Sequence, residues 1–248
     1  MIHNKIYIYG KHALMEALLH APKAVKKVFL APHVEDSELM EVLKKTGVPH
    51  GTLGTRGTLD VEKTAAHQGV IGLLDTDKIV QSYENFSKNL KVTPNTSLLL
   101  LDEVQDPHNV GAMIRSAAAF GVSAVLIPEH NQAPVTGAVV KVSSGMVFRV
   151  PIVKVGNVNS TLIDLKEKGF WIYGLAGEGT NPVTKEKFDA PAVFVVGNES
   201  EGIRLKTRET CDILLSIPMN PQCESLNVAA SAAVTLYAWS AQHPEALR

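Results

Sequence analysis

Residues 98–127 read LLLLDEVQDPHNVGAMIRSAAAFGVSAVLI: an apolar run, a polar lead-in, a helix of small and apolar residues, and a second apolar run. The runs at 98–101 and 124–127 are short, continuous and bounded by turn residues, the pattern of strands buried on both faces. Further runs at 150–155, 171–175, 193–196 and 213–217 are mostly separated by stretches long enough for helices. Strands alternating with helices predict an α/β architecture, a parallel sheet covered on both sides. Ligands of such sheets bind beyond the carboxyl ends of the strands, so a site is sought there.

Three late strands finish in small or glycine-bearing loops: GLAGEG at 174–179, VGNESEG at 196–202 and SIPMNPQCESLN at 216–227. None carries the Gly-x-Gly-x-x-Gly fingerprint of dinucleotide folds or the Gly-Lys-Ser/Thr of a phosphate loop, which argues against a triphosphate. Glycine lets main-chain N–H and C=O groups approach a ligand closely, which suits a purine edge and an amino-acid tail. The last helix, SLNVAASAAVTLYAW at 225–239, is apolar on nearly every side. It is expected to bury one face on the sheet and another on a second protomer or a folded-back loop. Ser225 stands where an N-cap belongs, and Asn227 falls in the first turn, its amide toward the helix entrance.

One cation interrupts the helix after residue 106. With a start near Val110, the residues Val110, Ile114, Ala117 and Gly121 share a face flanked by Met113 and Phe120, whereas Arg115 lies on another side, one turn from Gly111. Helical side chains lean toward the N-terminus, so Arg115 is expected to lean across the bare Gly111 toward residues 106–109, where a helix N-terminus attracts anions. A salt bridge to Asp102, Glu103 or Asp106 is the alternative.

Upstream the pattern changes. A helical pattern from residue 7 to 19, a strand at 28–31, an amphipathic helix at 38–45 ending at Gly47 and an apolar run at 69–74 make a small mixed α/β unit of residues 1–75. Residues 76–95, polar and containing Pro94, read as a linker, which leaves 96–248 to the sheet domain. A chain of 248 residues with 45% hydrophobic residues can bury two unequal cores. No run reaches the about 18 apolar residues of a membrane helix, and the N-terminus lacks a secretory pattern, so a cytoplasmic protein is expected. Cys211 and Cys223 form no Cys-x-x-Cys pair and adjoin no His cluster, which argues against a disulfide framework and a structural metal. With 24 Lys plus Arg against 25 Asp plus Glu, any polyanion must be met by local patches. Lys23, Lys26 and Lys27 in the first unit and Arg149, Arg204, Lys206 and Arg208 in the second are the expected RNA contacts.

NVGAMIR at 109–115, VVGNESEGI at 195–203 and LSIPMNPQCESLNVAAS at 215–231 resemble, in order, the three motifs of the SpoU/TrmH family of RNA ribose 2'-O-methyltransferases, of the SPOUT superfamily. The likeness spans the chain, because residues 1–75, including AHQGV at 66–70, resemble the family's ribosomal-protein-like RNA-binding domain. Within the family the chain is most similar to bacterial members that methylate a guanosine of 23S (large-subunit) ribosomal RNA. The resemblance implies a C-terminal trefoil knot, a rare exception to unknotted chains. It also implies a homodimer, S-adenosylmethionine as cofactor, and neither metal nor membrane. The cofactor would lie among Ala176, Gly177, Gly197, Ile217, Met219 and Leu226.

Carried over motif by motif, the catalytic set is Asn109 and Arg115, Glu199, and Ser225 and Asn227. The reaction implied is an in-line methyl transfer to a ribose oxygen whose hydroxyl must be oriented and deprotonated. A guanidinium keeps its proton, with a pKa above about 12. Arg115 is therefore expected to anchor the target phosphate and lower the hydroxyl's pKa while phosphate or water takes the proton. Glu199, Ser225 and Asn227 are expected to support the site; the alternative for Glu199 is a carboxylate that only balances the dipole of a helix over 203–208. Asn198 stands where relatives often carry Ala or Pro, and Glu224 adds a negative charge beside Ser225. A transfer RNA substrate, a catalytically idle RNA-binding or ribosome-assembly protein of the same fold, and an unrelated doubly wound nucleotide enzyme are the competing readings.

Overall fold

The computed structural model describes residues 4–53 and 69–247. KIYIY alternates along an extended chain and forms β1 (Lys5–Tyr9), where a helical pattern was expected from residue 7. Isoleucine and tyrosine fit a pleated surface, and Gly10, at φ 90, turns the chain into α1 (Lys11–His20). Then come β2 (Val25–Leu30), α2 (Ser37–Thr46), β3 (His50–Thr52) and β4 (Val70–Asp75). Asp36 caps α2 by accepting from the Leu39 N–H, and Gly47 closes it in the left-handed conformation. The four strands form one sheet in the order β1-β4-β2-β3, and α1 packs closely on it: a Cβ on Gly72 would lie 3.0 Å from Ile8 and Leu14 side chains. Residues 66–68 of AHQGV lie outside the described residues.

From there strands and helices alternate except at β9–β11, three strands in succession: β5 (Val80–Ser82), α3 (Tyr83–Asn89), β6 (Ser97–Asp102), α4 (Pro107–Ala119), β7 (Ala124–Pro128), α5 (Gly137–Val142), β8 (Ile152–Val155), α6 (Val158–Glu167), β9 (Trp171–Leu175), β10 (Asn181–Pro182), β11 (Ala192–Gly197), α7 (Leu205–Thr210), β12 (Ile213–Ser216) and α8 (Val228–Ser240). They build an eight-stranded, wholly parallel sheet in the order β10-β12-β9-β11-β6-β7-β8-β5. The central β6 explains its four leucines. Leu98 and Leu100 enter the apolar cluster under α6, with Leu162 and Val193, while Leu99 and Leu101 enter the one under α4 and α8, with Ile114 and Trp239. The chain leaves β6 toward β7 on one side, and β11 enters on the other. That reversal is a topological switch point, the kind of place at which open α/β sheets bind ligands.

The stretch 76–95 is not a bare linker. Its β5 pairs with β8 at the sheet edge, Ser82 caps α3, Phe86 is buried under the α6 cluster, and the Tyr83 hydroxyl donates to Asp164. A three-residue strand is too short for periodicity to reveal. The two units are also docked. One continuous apolar cluster holds Leu14 and Val28 of the first with Leu99 and Phe194 of the second. Gly145, at φ 80, lets Glu16 lie against it, and the buried Glu16 carboxylate accepts from Arg149 Nε (2.6 Å) and Nη2 (2.9 Å).

Helix α8 buries Ala232, Leu236 and Trp239, but its opposite side, with Ala230, Val234 and Tyr237, is exposed. The second burial expected for this helix is absent within the described residues of one chain.

Candidate active site

A cavity of about 300 Å³ opens at the carboxyl ends of β9, β11 and β12. Its wall includes Ala176, Gly177, Gly197, Ile217, Met219 and Leu226, together with Glu199 and Ser225. All six residues assigned to the cofactor thus lie on one surface, brought together from three loops. Gly197 has no room for a side chain, since a Cβ there would stand 2.1–2.2 Å from the backbone of Gly202 and Ile203. Glutamates 199, 201 and 224 belong to the lining, and among the described residues no lysine or arginine does.

Asp106 begins α4 by accepting from the His108 N–H (2.8 Å), and Pro107 takes the first helical position, where its missing N–H costs no bond. The helix therefore starts three residues before Val110. Asn109, buried in its first turn, joins the other two motifs. Its Nδ2 donates to Glu199 Oε1 (3.0 Å), and its Oδ1 accepts from Asn227 Nδ2 (3.0 Å). The remaining oxygen of Asn227 accepts from the N–H groups of Ala229 (2.9 Å) and Ala230 (3.3 Å), so Asn227 is the N-cap of α8. This corrects Ser225 as the cap, because α8 begins two residues later than the apolar pattern suggests. Ser225 instead lines the cavity on an exposed loop.

Glu199 is tied to the start of α4. Its carboxylate accepts from the Gln105 (3.4 Å) and Asp106 (3.2 Å) N–H groups as well as from Asn109, anchoring the lead-in of α4. Burial pushes its pKa up, but the Asn109 amide and the surrounding backbone N–H groups outweigh that and hold the carboxyl below its ordinary range.

Arg115 is exposed on α4 and makes no ion pair among the described residues. The bare face of Gly111 is itself filled by α5, since the Val142 side chain and the Val139 carbonyl lie 2.8–3.0 Å from where a Cβ would stand. Gly111 serves helix packing. The carboxylates considered for Arg115 are engaged elsewhere: Asp102 and Glu103 bind Arg204, and Asp106 caps the helix. Sequence reasoning missed this Asp102–Arg204 pair. The one charged residue closing an all-leucine strand was the available signal.

Of the expected RNA contacts, Lys26 pairs with Asp75 (3.0 Å), Arg149 with Glu16, Arg204 with Asp102 and Arg208 with Glu178. Lys27 lies over the Phe29 ring (5.2 Å), and neither it, Lys23 nor Lys206 forms an ion pair among the described residues. Both cysteines are free, and burial pushes the Cys211 thiol up to about 12. Among the described residues no group of His, Cys, Asp and Glu is arranged to hold a metal, and no helix is long and apolar enough to cross a membrane.

Residues 96–237 match the SpoU rRNA methylase family, and residues 7–79 match a model described as RNA 2'-O ribose methyltransferase substrate binding. The chain is 37% identical to the 23S rRNA (guanosine-2'-O-)-methyltransferase RlmB of Photobacterium profundum, over 93% of this chain and 95% of that protein. It is 38% identical to the Neisseria meningitidis enzyme of the same name, over 94% of each. Among solved structures, the SpoU methyltransferase AviRb of Streptomyces viridochromogenes, in complex with AdoMet, shares the fold with a TM-score of 0.80 at 24% identity, over 97% of this chain and 91% of that one.

Proposed function

The chain belongs to the SpoU rRNA methylase family, and from that premise we propose that it transfers a methyl group from S-adenosylmethionine to a ribose 2'-hydroxyl, the target being a guanosine of 23S ribosomal RNA. The observation that carries this reading is the bond chain Asn227–Asn109–Glu199, at 3.0 Å per step, beside a cavity without cations. The small and apolar part of the wall, with Ala176, Gly177, Gly197, Ile217 and Leu226, suits an adenosyl group, and the acidic residues Glu201 and Glu224 complement a cationic ligand. Bound there, the cofactor supplies an electrophilic methyl group on a sulfonium sulfur.

Asn109, Glu199 and Asn227 hold the start of α4 and the start of α8 in one geometry. Ser225 offers a hydroxyl on the cavity wall. Arg115, without an ion pair among the described residues, holds a phosphate next to the target ribose and stabilises charge developing on the hydroxyl oxygen, while phosphate or water accepts the proton. Residues 1–75 act as the RNA-binding domain, 76–95 connect it to the methyltransferase domain 96–248, and the cytoplasm is where this substrate is met. The C-terminal segment forms a trefoil knot, in keeping with a strand order that sets β11 and β12 on opposite sides of β9. The exposed apolar side of α8, with Val234 and Tyr237, is the surface for a homodimer.

The test is methyl transfer from labelled S-adenosylmethionine into separate pools of ribosomal RNA and transfer RNA, followed by alkaline hydrolysis. Label in a hydrolysis-resistant dinucleotide of ribosomal RNA is the expected result. Label in transfer RNA alone overturns the substrate, and tight S-adenosylhomocysteine binding without transfer to either pool overturns the catalytic reading.

A further inference from the structure

Arg204 stands at the seam between the cavity wall and the lead-in of α4. Its backbone N–H (3.1 Å), Nε (2.9 Å) and Nη2 (2.6 Å) all donate to the Asp102 carboxylate, and its Nη1 donates to Glu103 Oε1 (2.8 Å). We propose that Arg204 is a positioning residue: locked onto Asp102 and Glu103, it holds the 198–202 loop as a fixed wall of the cofactor cavity, and with it Glu199, and it is not an RNA contact. This inference rests on the methyltransferase reading for the identity of the ligand, not for the clamp itself.

Asp102 is 0% exposed. A carboxylate taken fully out of water is costly unless paired and hydrogen-bonded, and removing its partner leaves that cost uncompensated. The guanidinium fork therefore cannot turn to a phosphate without stranding Asp102. Glu103 is the second half of the anchor. It sits at φ 67, a conformation uncommon for a residue with a side chain and kept only where its surroundings over-determine it. Arg204 and Asn131 hold its carboxylate, and Asn198 Nδ2 donates to its carbonyl (2.9 Å).

The loop between these anchors is also closed by its own hydrogen bonds. Asn198 and Gly202 exchange two backbone bonds (2.9 and 3.0 Å), and Asn198 Oδ1 accepts from the N–H groups of Ser200 and Glu201. Asn198 fastens one end to Glu103, Arg204 fastens the other to Asp102, and Glu199 in the middle binds residues 105–109. Asn198 to Gly202 all belong to the cavity wall, so the clamp sets the shape of that wall.

The experiment compares Arg204→Met and Arg204→Lys with the unaltered protein in three readouts: S-adenosylhomocysteine affinity without RNA, the salt dependence of binding a ribosomal RNA fragment, and amide hydrogen exchange at 199–202 in the free protein. Arg204→Met is expected to weaken S-adenosylhomocysteine about tenfold or more, the scale of lost charged hydrogen bonds, and to quicken loop exchange by a similar factor. Arg204→Lys keeps the charge but not the fork and should fall between; it carries the test if the Met variant does not fold. The neutral pair Asp102→Asn with Arg204→Gln should restore affinity to within about threefold, since no charge is then stranded. The salt slope should not change. Unaltered exchange and affinity in both single variants, with a slope reduced by about one, would make Arg204 an RNA contact and overturn the clamp. Failure of the unaltered protein to bind S-adenosylhomocysteine would sink the methyltransferase reading instead, and loop exchange would still decide the clamp.

Discussion

Arg115 and Arg204 are both exposed arginines of the sheet domain, and they stand in opposite circumstances. Arg204, with 43% of its side chain exposed, has its guanidinium on two carboxylates, whereas Arg115 has no ion pair among the described residues. Exposure alone does not make a cation available. A guanidinium committed to holding the fold already has its counter-charge, and one left without a carboxylate is free to meet a phosphate. The same distinction separates Lys26, Arg149 and Arg208, each paired within the chain, from Lys23 and Lys206, which have no ion pair among the described residues.

The sharpest consequence concerns Arg115. Arg115→Ala should lower methyl transfer by about 10²–10³-fold, the cost of losing one donor at a developing charge, while S-adenosylhomocysteine affinity and melting temperature stay as in the unaltered protein. A fall in cofactor affinity, measured by calorimetry, would erase the contrast by making Arg115 structural.

Asn227 lies between the two cases, because its oxygen caps α8 and its amide reaches Asn109. Asn227→Ala should cost about 1 kcal/mol of stability from the lost cap and about tenfold or more in turnover from the lost bond to Asn109. Asn227→Asp keeps the cap but sets an acceptor against Asn109 Oδ1; flipping the Asn109 amide only moves the mismatch to Glu199. Its melting temperature should return toward the unaltered value while turnover stays low, and recovery of both would show that the amide chain is dispensable.

The smallest effect on turnover belongs to Glu16, which serves the docking of the two units and acts on stability alone. Arg149 holds its carboxyl below the ordinary range, burial opposing. A depressed folded-state pKa gives stability that is present above the unfolded pKa and lost as the pH falls through the folded one. Glu16→Gln should therefore cost about 1–2 kcal/mol at neutral pH, between the values for exposed and buried pairs, and the gap should close in acid. Denaturant midpoints at pH 7 and pH 3 measure it, and an equal gap at both would exclude the ion pair as its source.

What could be read in advance follows the range of the interactions. The sheet of parallel strands was legible because a strand buried on both faces must be apolar at every position, as in Leu98–Leu101. The three cavity loops were legible because close backbone approach calls for small residues, as at Gly197. Short pieces were not: Val80–Ser82 has no periodic signal and is a strand only because β8 offers it an edge, and KIYIY looked like the start of the helix that in fact begins after Gly10. Side-chain partners were the least legible. Arg149 and Glu16 are 133 residues apart, Arg204 and Asp102 are 102 apart, and Asn109 and Asn227 are 118 apart.

By itself, then, the sequence determined the sheet, the loops that meet beyond it and the residue types that the site requires, since those depend on burial and local backbone geometry. The tertiary structure alone decided which charges are spent on one another and which remain for a ligand. Ion pairs form between whatever groups folding brings within about 4 Å, and that proximity is written in the topology of the sheet and not in any stretch of the chain.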